Sequence, residues 1–394
     1  MVTANRIRLL SPALPKIALM LGNIAIGLSV LAPAGMLSEL ANGLGVAVHD
    51  AGLLVTYGAF VLCISSPLGA WLTTRLDRRA LLTGTIAVLV IGEFATAFAP
   101  NYGTVLVLRL LMLVAAALYT PQAAATVALI VPERERPGAM SFVFLGWSLA
   151  IAGGLPFITF MTTQFGWRVA FGSLGCVSLA IAVLLLPALP RGLQGRPLSL
   201  ASFGTIARTS TITLMLLITL LTTSGQFSVA VYLAPLLEKL TGEGPATAGL
   251  LFGLMGTMGV VGNIAAARMV ERQGVQRTFA LFAGLVAAGL ALWAVGAGYL
   301  AVMTLGVTFL GLGFAAANSM QQARLADAAP DLASASIALN TSLLYVGQAV
   351  GSGVGGFLYA HGRYHAVGYV AAVFAIAALV VLALTWQKRT IGPR

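Results

Sequence analysis

The chain has 394 residues, of which 59% are hydrophobic and only 8% charged, with a formal net charge of +11. Soluble proteins keep about a quarter of their residues charged, so water is excluded as the solvent for most of this surface, and a multi-span helical membrane protein is the class that remains. The excess of lysine and arginine reads as loop charge at an anionic leaflet, and not as a nucleic-acid footprint, because no soluble basic module accompanies it.

The N-terminus, "MVTANRIRLLSPALPKIALM", is basic and then apolar, like a signal peptide. The apolar stretch continues past Pro33, too long for a signal h-region, so it is read as an uncleaved first span. Apolar segments long enough to cross a hydrocarbon core of roughly 30 Å then recur with short breaks. They fall near 17–39, 50–73, 80–99, 103–128, 138–162 and 169–189, and again near 210–236, 246–267, 276–297, 299–323, 334–359 and 366–386. This predicts an all-α membrane protein of twelve helices: an N-terminal six-helix bundle over 1–189, a linker over 190–208 and a C-terminal six-helix bundle over 209–394. The cysteines, Cys63 and Cys176, sit inside apolar runs and read as buried thiols without a disulfide framework.

Charge placement orients the chain. With both termini on one side, the segments on that side hold 18 of the 22 basic residues, the opposite loops hold only Arg168, Lys239 and Arg363, and Arg109 lies within a span. The positive-inside rule then puts both termini in the cytoplasm. The chain also repeats itself. In "GAWLTTRLDRR", Gly69, Arg75 and Arg79 recur 193 positions later as Gly262, Arg268 and Arg272, at the end of the second span of each half. A duplicated six-helix unit is a known plan for a carrier with a central site between its halves.

These residues carry a family resemblance. "GAWLTTRLDRRALL" resembles the loop between spans 2 and 3 of major facilitator carriers, with Leu72, Arg75, Arg78 and Arg79 on consensus positions. Thr74 stands where that family usually has aspartate, and Asp77 where it usually has glycine. "LVLRLLMLVAAALYTP" resembles the family's fourth span, whose arginine is Arg109, and "GWRVAF" the segment entering span 6. "YVGQAVGSGVGGFL" in span 11 resembles the sugar-efflux and arabinose-efflux-like branch of the drug/proton antiporters, while the glycine-proline motif of span 5 is only partly present as Gly146, Gly153, Gly154 and Pro156. The resemblance implies two pseudo-symmetric bundles in a bacterial inner membrane. It also implies a cytoplasmic gate at Arg75, Asp77, Arg78 and Arg79, with Asp77 substituting for the missing carboxylate. Spans 1, 4, 7 and 10 would line the cavity, which nominates Asn23, Gln122, Gln226, Tyr232, Asn318 and Gln322, with Asn340 and Gln348 from span 11. Each of these side chains is also a candidate for an ordinary interhelical hydrogen bond. Many relatives of this type carry an acidic residue in the first span, where this chain has Asn23, so an uncoupled facilitator stays open.

Glycines 347, 351 and 355 fall four apart on one helix face and are expected to form a tight packing seam. Of eleven acidic residues, only Glu93, in "VIGEFATAF", lies well inside a span, which makes it a functional candidate. Spans 3 and 4 form a hairpin through Pro100 to Gly103, so Glu93 and Arg109 each lie roughly 9 Å deep at 1.5 Å per residue and at similar height. They are expected to interact, either as a proton-sensitive pair or as a permanent structural ion pair.

No P-loop is present, and the histidines His49, His361 and His365 lack metal-ligand spacing, so no enzyme, cofactor or metal site is expected. The polar set carries little net charge, which suits small neutral or amphipathic solutes. The expected function is therefore secondary transport by a monomer whose partners are a small-molecule substrate, protons and the lipid bilayer: efflux of a drug, sugar or metabolite in exchange for protons. The alternative is an uncoupled or importing facilitator of a nutrient-like metabolite, and the remote alternative is a membrane-embedded hydrolase.

Overall fold

The structure, a computed structural model, describes residues 13–73, 75–132, 135–194, 205–206, 208–329 and 332–390. Thr74 of the gate loop, and Arg6, Arg8, Glu133, Arg134, Arg196, Asp331 and Arg394 of the loops and tails, lie outside the described residues.

Helix starts follow from local chemistry. Asp77 and Asn101 cap their helices by accepting the Ala80 and Thr104 backbone N–H groups at 3.0 Å each. Prolines open others at the first turn, where a missing N–H costs nothing. In the first half, α1 (Leu14–Gly35) is followed by a short α2 (Leu37–Leu44), then α3 (Val48–Leu72), α4 (Arg78–Ala97), α5 (Tyr102–Ile130), α6 (Arg136–Leu149), α7 (Leu155–Phe165) and α8 (Trp167–Ala188). The second half has α9 (Ser210–Ala230), a short α10 (Leu233–Thr241), α11 (Pro245–Val295), α12 (Leu300–Ala328), α13 (Ala333–Ala360) and α14 (Tyr364–Thr390). Gly274, at φ 77° and ψ 164°, turns α11 back on itself, so that its two limbs are separate crossings. Helices α6 and α7 form one crossing, because Pro156 has no N–H for the Ala152 carbonyl and the chain passes through a π turn at Ala150–Gly154. Twelve crossings result among the described residues, six in each half.

The spans expected at 17–39 and 210–236 are each broken. Pro33 cannot serve the Ser29 carbonyl and Pro235 cannot serve the Val231 carbonyl, so the helices stop at Gly35 and Ala230. The joints, Met36 and Tyr232, carry non-helical dihedrals and lead into α2 and α10, each closed by a left-handed glycine, Gly45 or Gly242. The same break at the same place in both halves extends the repeat that the sequence showed only at the other end of the bundle.

The halves meet where α3 packs on α13 and where α7 and the π turn pack on the first limb of α11. At the end carrying α2 and α10, one apolar cluster draws on both halves: Leu37, Leu40 and Leu54 with Leu233, Leu236, Leu237 and Phe252. Towards the chain termini the apolar cores divide, into one cluster of the first half joined by Tyr345 and two clusters of the second half. The protein is therefore closed across its halves at one end, opposite the termini.

Cys63 is half-buried and Cys176 exposed, which corrects the expectation of two buried thiols. Position 176 is on the outer face of α8, where the surrounding apolar phase makes exposure of a thiol inexpensive.

Candidate functional site

The membrane-embedded charges gather on α1. The Arg109 guanidinium, 2% exposed, donates from Nε to the Leu54 carbonyl (2.9 Å), from Nη1 to the Ser29 carbonyl (3.0 Å) and from Nη2 to the Val30 carbonyl (2.8 Å). The Ser29 carbonyl is the one that Pro33 leaves without a helical donor. Arg109 thus fills the gap made by the proline and ties α5 to α1 and α3. Gly58 of α3 lets α5 come close beside the guanidinium, since a Cβ there would lie 2.5 Å from Leu113 Cδ1.

Glu93, 1% exposed, approaches the same serine from α4, and the Ser29 hydroxyl donates to its Oε1. Among the described residues its Oε2 accepts no hydrogen bond of ordinary geometry, although Ser178 of α8 is buried close enough to the carboxyl to act as a donor. The expected direct contact between Glu93 and Arg109 is corrected: among the described residues the two form no ion pair, and Ser29 stands between them, its hydroxyl on the carboxylate and its carbonyl on the guanidinium. Their heights match, but Ser29 of α1 occupies the space between the two side chains. An orphan carboxylate oxygen in a buried site costs roughly 1–3 kcal/mol or more unless it carries a proton. Glu93 and Arg109 are thus linked through one serine.

The proposed cavity residues divide into two groups. Asn23 donates to the Val143 carbonyl at 2.9 Å and accepts from Thr120 at 2.8 Å, and Trp147 in turn donates to Thr120 at 3.3 Å, which joins α1, α5 and α6. The second half repeats this knot on α9, α12 and α13. Thr219 donates to Asn340 at 2.6 Å, Gln321 donates to Thr219 at 3.2 Å and to the Met215 carbonyl, and Arg324 donates to Gln321 at 2.6 Å. Asn23 and Asn340 therefore act as ties between helices. Gln122 lies under the gate loop and not in a cavity, accepting from Arg78 and donating to Thr73 at 3.3 Å. Tyr232 sits in the joint between α9 and α10 at the closed end. Gln226, Asn318, Gln322 and Gln348 are left, and none of these amides hydrogen-bonds to a described residue, although Gln226 and Gln348 are 6% and 2% exposed. Sequence reading missed Ser29, Thr120, Thr219 and Gln321. Ser29, Thr120 and Thr219 had as their only signal a small polar residue in an apolar run, while Gln321 sits in a polar stretch beside Gln322.

In the gate loop, Arg75 is exposed and Arg79 half-buried, while Arg78 is buried. Beyond capping α4, Asp77 accepts the Gly192 N–H through Oδ2, and the Arg78 N–H donates to the Leu193 carbonyl at 2.9 Å. The loop is thus fastened to the start of the linker.

Glycine seams pack helices both within the second half and between the halves. Gly347, Gly351 and Gly355 of α13 lie against the α9 backbone, where a Cβ at 347 would come within 2.7 Å of the Leu220 carbonyl oxygen and one at 355 within 2.5 Å of that of Ser228. Between the halves, Gly256 of α11 lies on the Ala152 backbone of the π turn, Gly253 faces Pro156, and the Thr56 and Ser352 hydroxyls share a hydrogen bond of 2.8 Å.

A sequence model described as Major Facilitator Superfamily matches residues 19–351 and 215–393. The chain is 26% identical over 382 residues to the inner membrane transport protein YdhP of Escherichia coli (strain K12), covering 95% of this chain and 96% of that protein. It is 26% identical over 358 residues to a probable sugar efflux transporter of Mannheimia succiniciproducens, covering 90% and 89% of the two. An uncharacterized MFS-type transporter of Bacillus subtilis, YtbD, is 28% identical over 370 residues, covering 91% and 90%. Among solved structures, the human organic anion transporter MFSD10 superposes with a TM-score of 0.73 at 16% identity, covering 94% of this chain and 98% of that one.

Proposed function

This chain belongs to the major facilitator superfamily, and we propose that it is a proton-coupled exporter of a small neutral or amphipathic solute, working by alternating access. It is a membrane transporter and not an enzyme. The bundles over 1–189 and 209–394 are the two moving halves, joined by the linker over 190–208, with the termini cytoplasmic by the charge bias of the loops. In that orientation the closed end faces outward.

The observation that carries the reading is closure at one end only. The glycine-to-backbone contact between the π turn and α11, and the Thr56–Ser352 bond between α3 and α13, join the halves opposite the termini, while the apolar cores divide towards them. Such a seam holds two rigid bodies together without covalent or ionic ties, and so permits them to rock apart. Export as the direction draws on the efflux relative. The uncharged amides Gln226, Asn318, Gln322 and Gln348 supply hydrogen-bonding capacity for a solute without net charge. Glu93 is the proton carrier of this reading: its free oxygen receives the proton, and Ser29 passes the change to the break in α1 that Arg109 holds.

The test is lumenal pH in proteoliposomes under an imposed proton gradient, with sugars, drugs and small metabolites added in turn. Wild type is expected to move protons only when a solute is present, and Glu93→Gln to move none. Solute flux with no proton movement would overturn the coupling and leave a facilitator. Proton movement retained in Glu93→Gln would remove Glu93 from the mechanism.

A further inference from the structure

The joint between α9 and α10 places one large side chain across the boundary between the halves. Tyr232 is 1% exposed, and its ring stacks on Tyr359 of α13 at 5.7 Å with 23° between the planes. Two glycines hold the other end of the ring. A Cβ on Gly356 of α13 would lie 3.1 Å from Tyr232 Cζ, and one on Gly52 of α3, in the opposite half, would lie 2.6 Å from Cζ and overlap the hydroxyl. Gly355 is as close on the flank, at 3.2 Å from Cδ2. The corresponding joint of the first half carries Met36, buried and flexible, so the two halves do not contribute equally.

We propose that Tyr232 is the bolt of the closed end, and that Gly52 and Gly356 are its socket. A rigid ring with few rotamers loses little entropy when seated. It fills its socket only while α3 lies against α13, because parting the halves strips Gly52 from the ring. The bolt therefore favours the closed state over the open one and sets how often that end opens. The proposal rests on the alternating-access reading, and it predicts that the residue at 232 and the space at 52 act on the same equilibrium.

The experiment uses the full chain in lipid nanodiscs, with spin labels at N42C and K239C on the two short helices and both native cysteines replaced by serine. Pulsed electron resonance then reads the distance across the seam. Wild type is expected to show a major short and a minor long distance, and Y232F to match it. Y232A and G52A are each expected to raise the long-distance population about tenfold, and Y232L, which keeps apolar bulk, to fall between. G84A, with nothing within 4 Å of the added Cβ, should match wild type. If Y232A, Y232L and G52A all keep the wild-type ratio of two resolved distances, the bolt is refuted and alternating access stands. A single short distance in every variant, with no solute flux in proteoliposomes, would refute alternating access itself and the bolt with it.

Discussion

The tie between Arg109 and the break in α1 can be measured as a coupling energy. Arg109→Lys keeps the charge but replaces a planar fork by a point donor, which cannot serve Leu54, Ser29 and Val30 on two helices together. Two of three bonds are lost. In a bilayer each interhelical bond is worth about 0.6 kcal/mol and at most roughly 1.7, so the cost should be about 1–3 kcal/mol. Pro33→Ala offers an independent repair, because an N–H at 33 can serve the Ser29 carbonyl from within α1. The double variant should then lose about 0.5–1.5 kcal/mol less than the sum of the single ones, the worth of one hydrogen bond. Chemical unfolding in mixed micelles gives the four free energies of this cycle. Strict additivity would refute the reasoning, since it would mean that Arg109 does not occupy the acceptor that Pro33 vacates.

Glu39 of α2 is half-buried near Glu238 of α10, and burial first, then the Glu238 charge, pushes its carboxyl above the ordinary glutamate value. Other charged groups on the packed elements are His49 and Asp50, themselves paired at 3.0 Å, Lys239 beside Glu238, and Arg168 over Trp167. With the halves parted Glu39 is solvated and releases its proton at a lower pH, so the closed end should weaken as pH rises from the ordinary glutamate value through the raised one. The distance distribution across the seam, followed by pH, should lose that dependence in Glu39→Gln. Gly256→Ala would drive a Cβ into the Ala152 backbone at an overpacking cost of about 1–3 kcal/mol, felt mainly in the closed state. Labelling of a cysteine placed in the seam should accelerate, and an unchanged rate would show that the contact does not hold the halves. Asp77→Ala removes the cap of α4, worth about 1 kcal/mol, together with the hold on Gly192. Limited proteolysis at Arg191 should speed up in Asp77→Ala and less in Asp77→Asn, which keeps an acceptor oxygen; equal rates in all three would exclude a fastened linker.

Much of this architecture is written in one dimension. Bilayer thickness fixes how many consecutive apolar residues a crossing needs, so the run lengths alone gave twelve crossings, because that is a local requirement of the solvent. The depth of Glu93 and Arg109 was legible for the same reason, through the rise per residue of a helix. Their partners were not. Which acceptor a guanidinium finds depends on the helices packed around it, and that is set by packing among segments some eighty residues apart, such as Arg109 and Ser29. The breaks at Met36 and Tyr232 had a local signal in Pro33 and Pro235, but the apolar pattern runs straight through them, and the docking of α2 and α10 across the halves is what buries the broken segments. The polar residues nominated for a cavity show the same limit. Asn23, Asn340 and Gln122 proved to be ties because a hydrogen bond needs a partner at about 3 Å, and sequence spacing within one helix says nothing about what a neighbouring helix presents there. Composition and periodicity report how a segment meets its solvent, whereas sites arise where segments meet each other, and only the tertiary structure decides that.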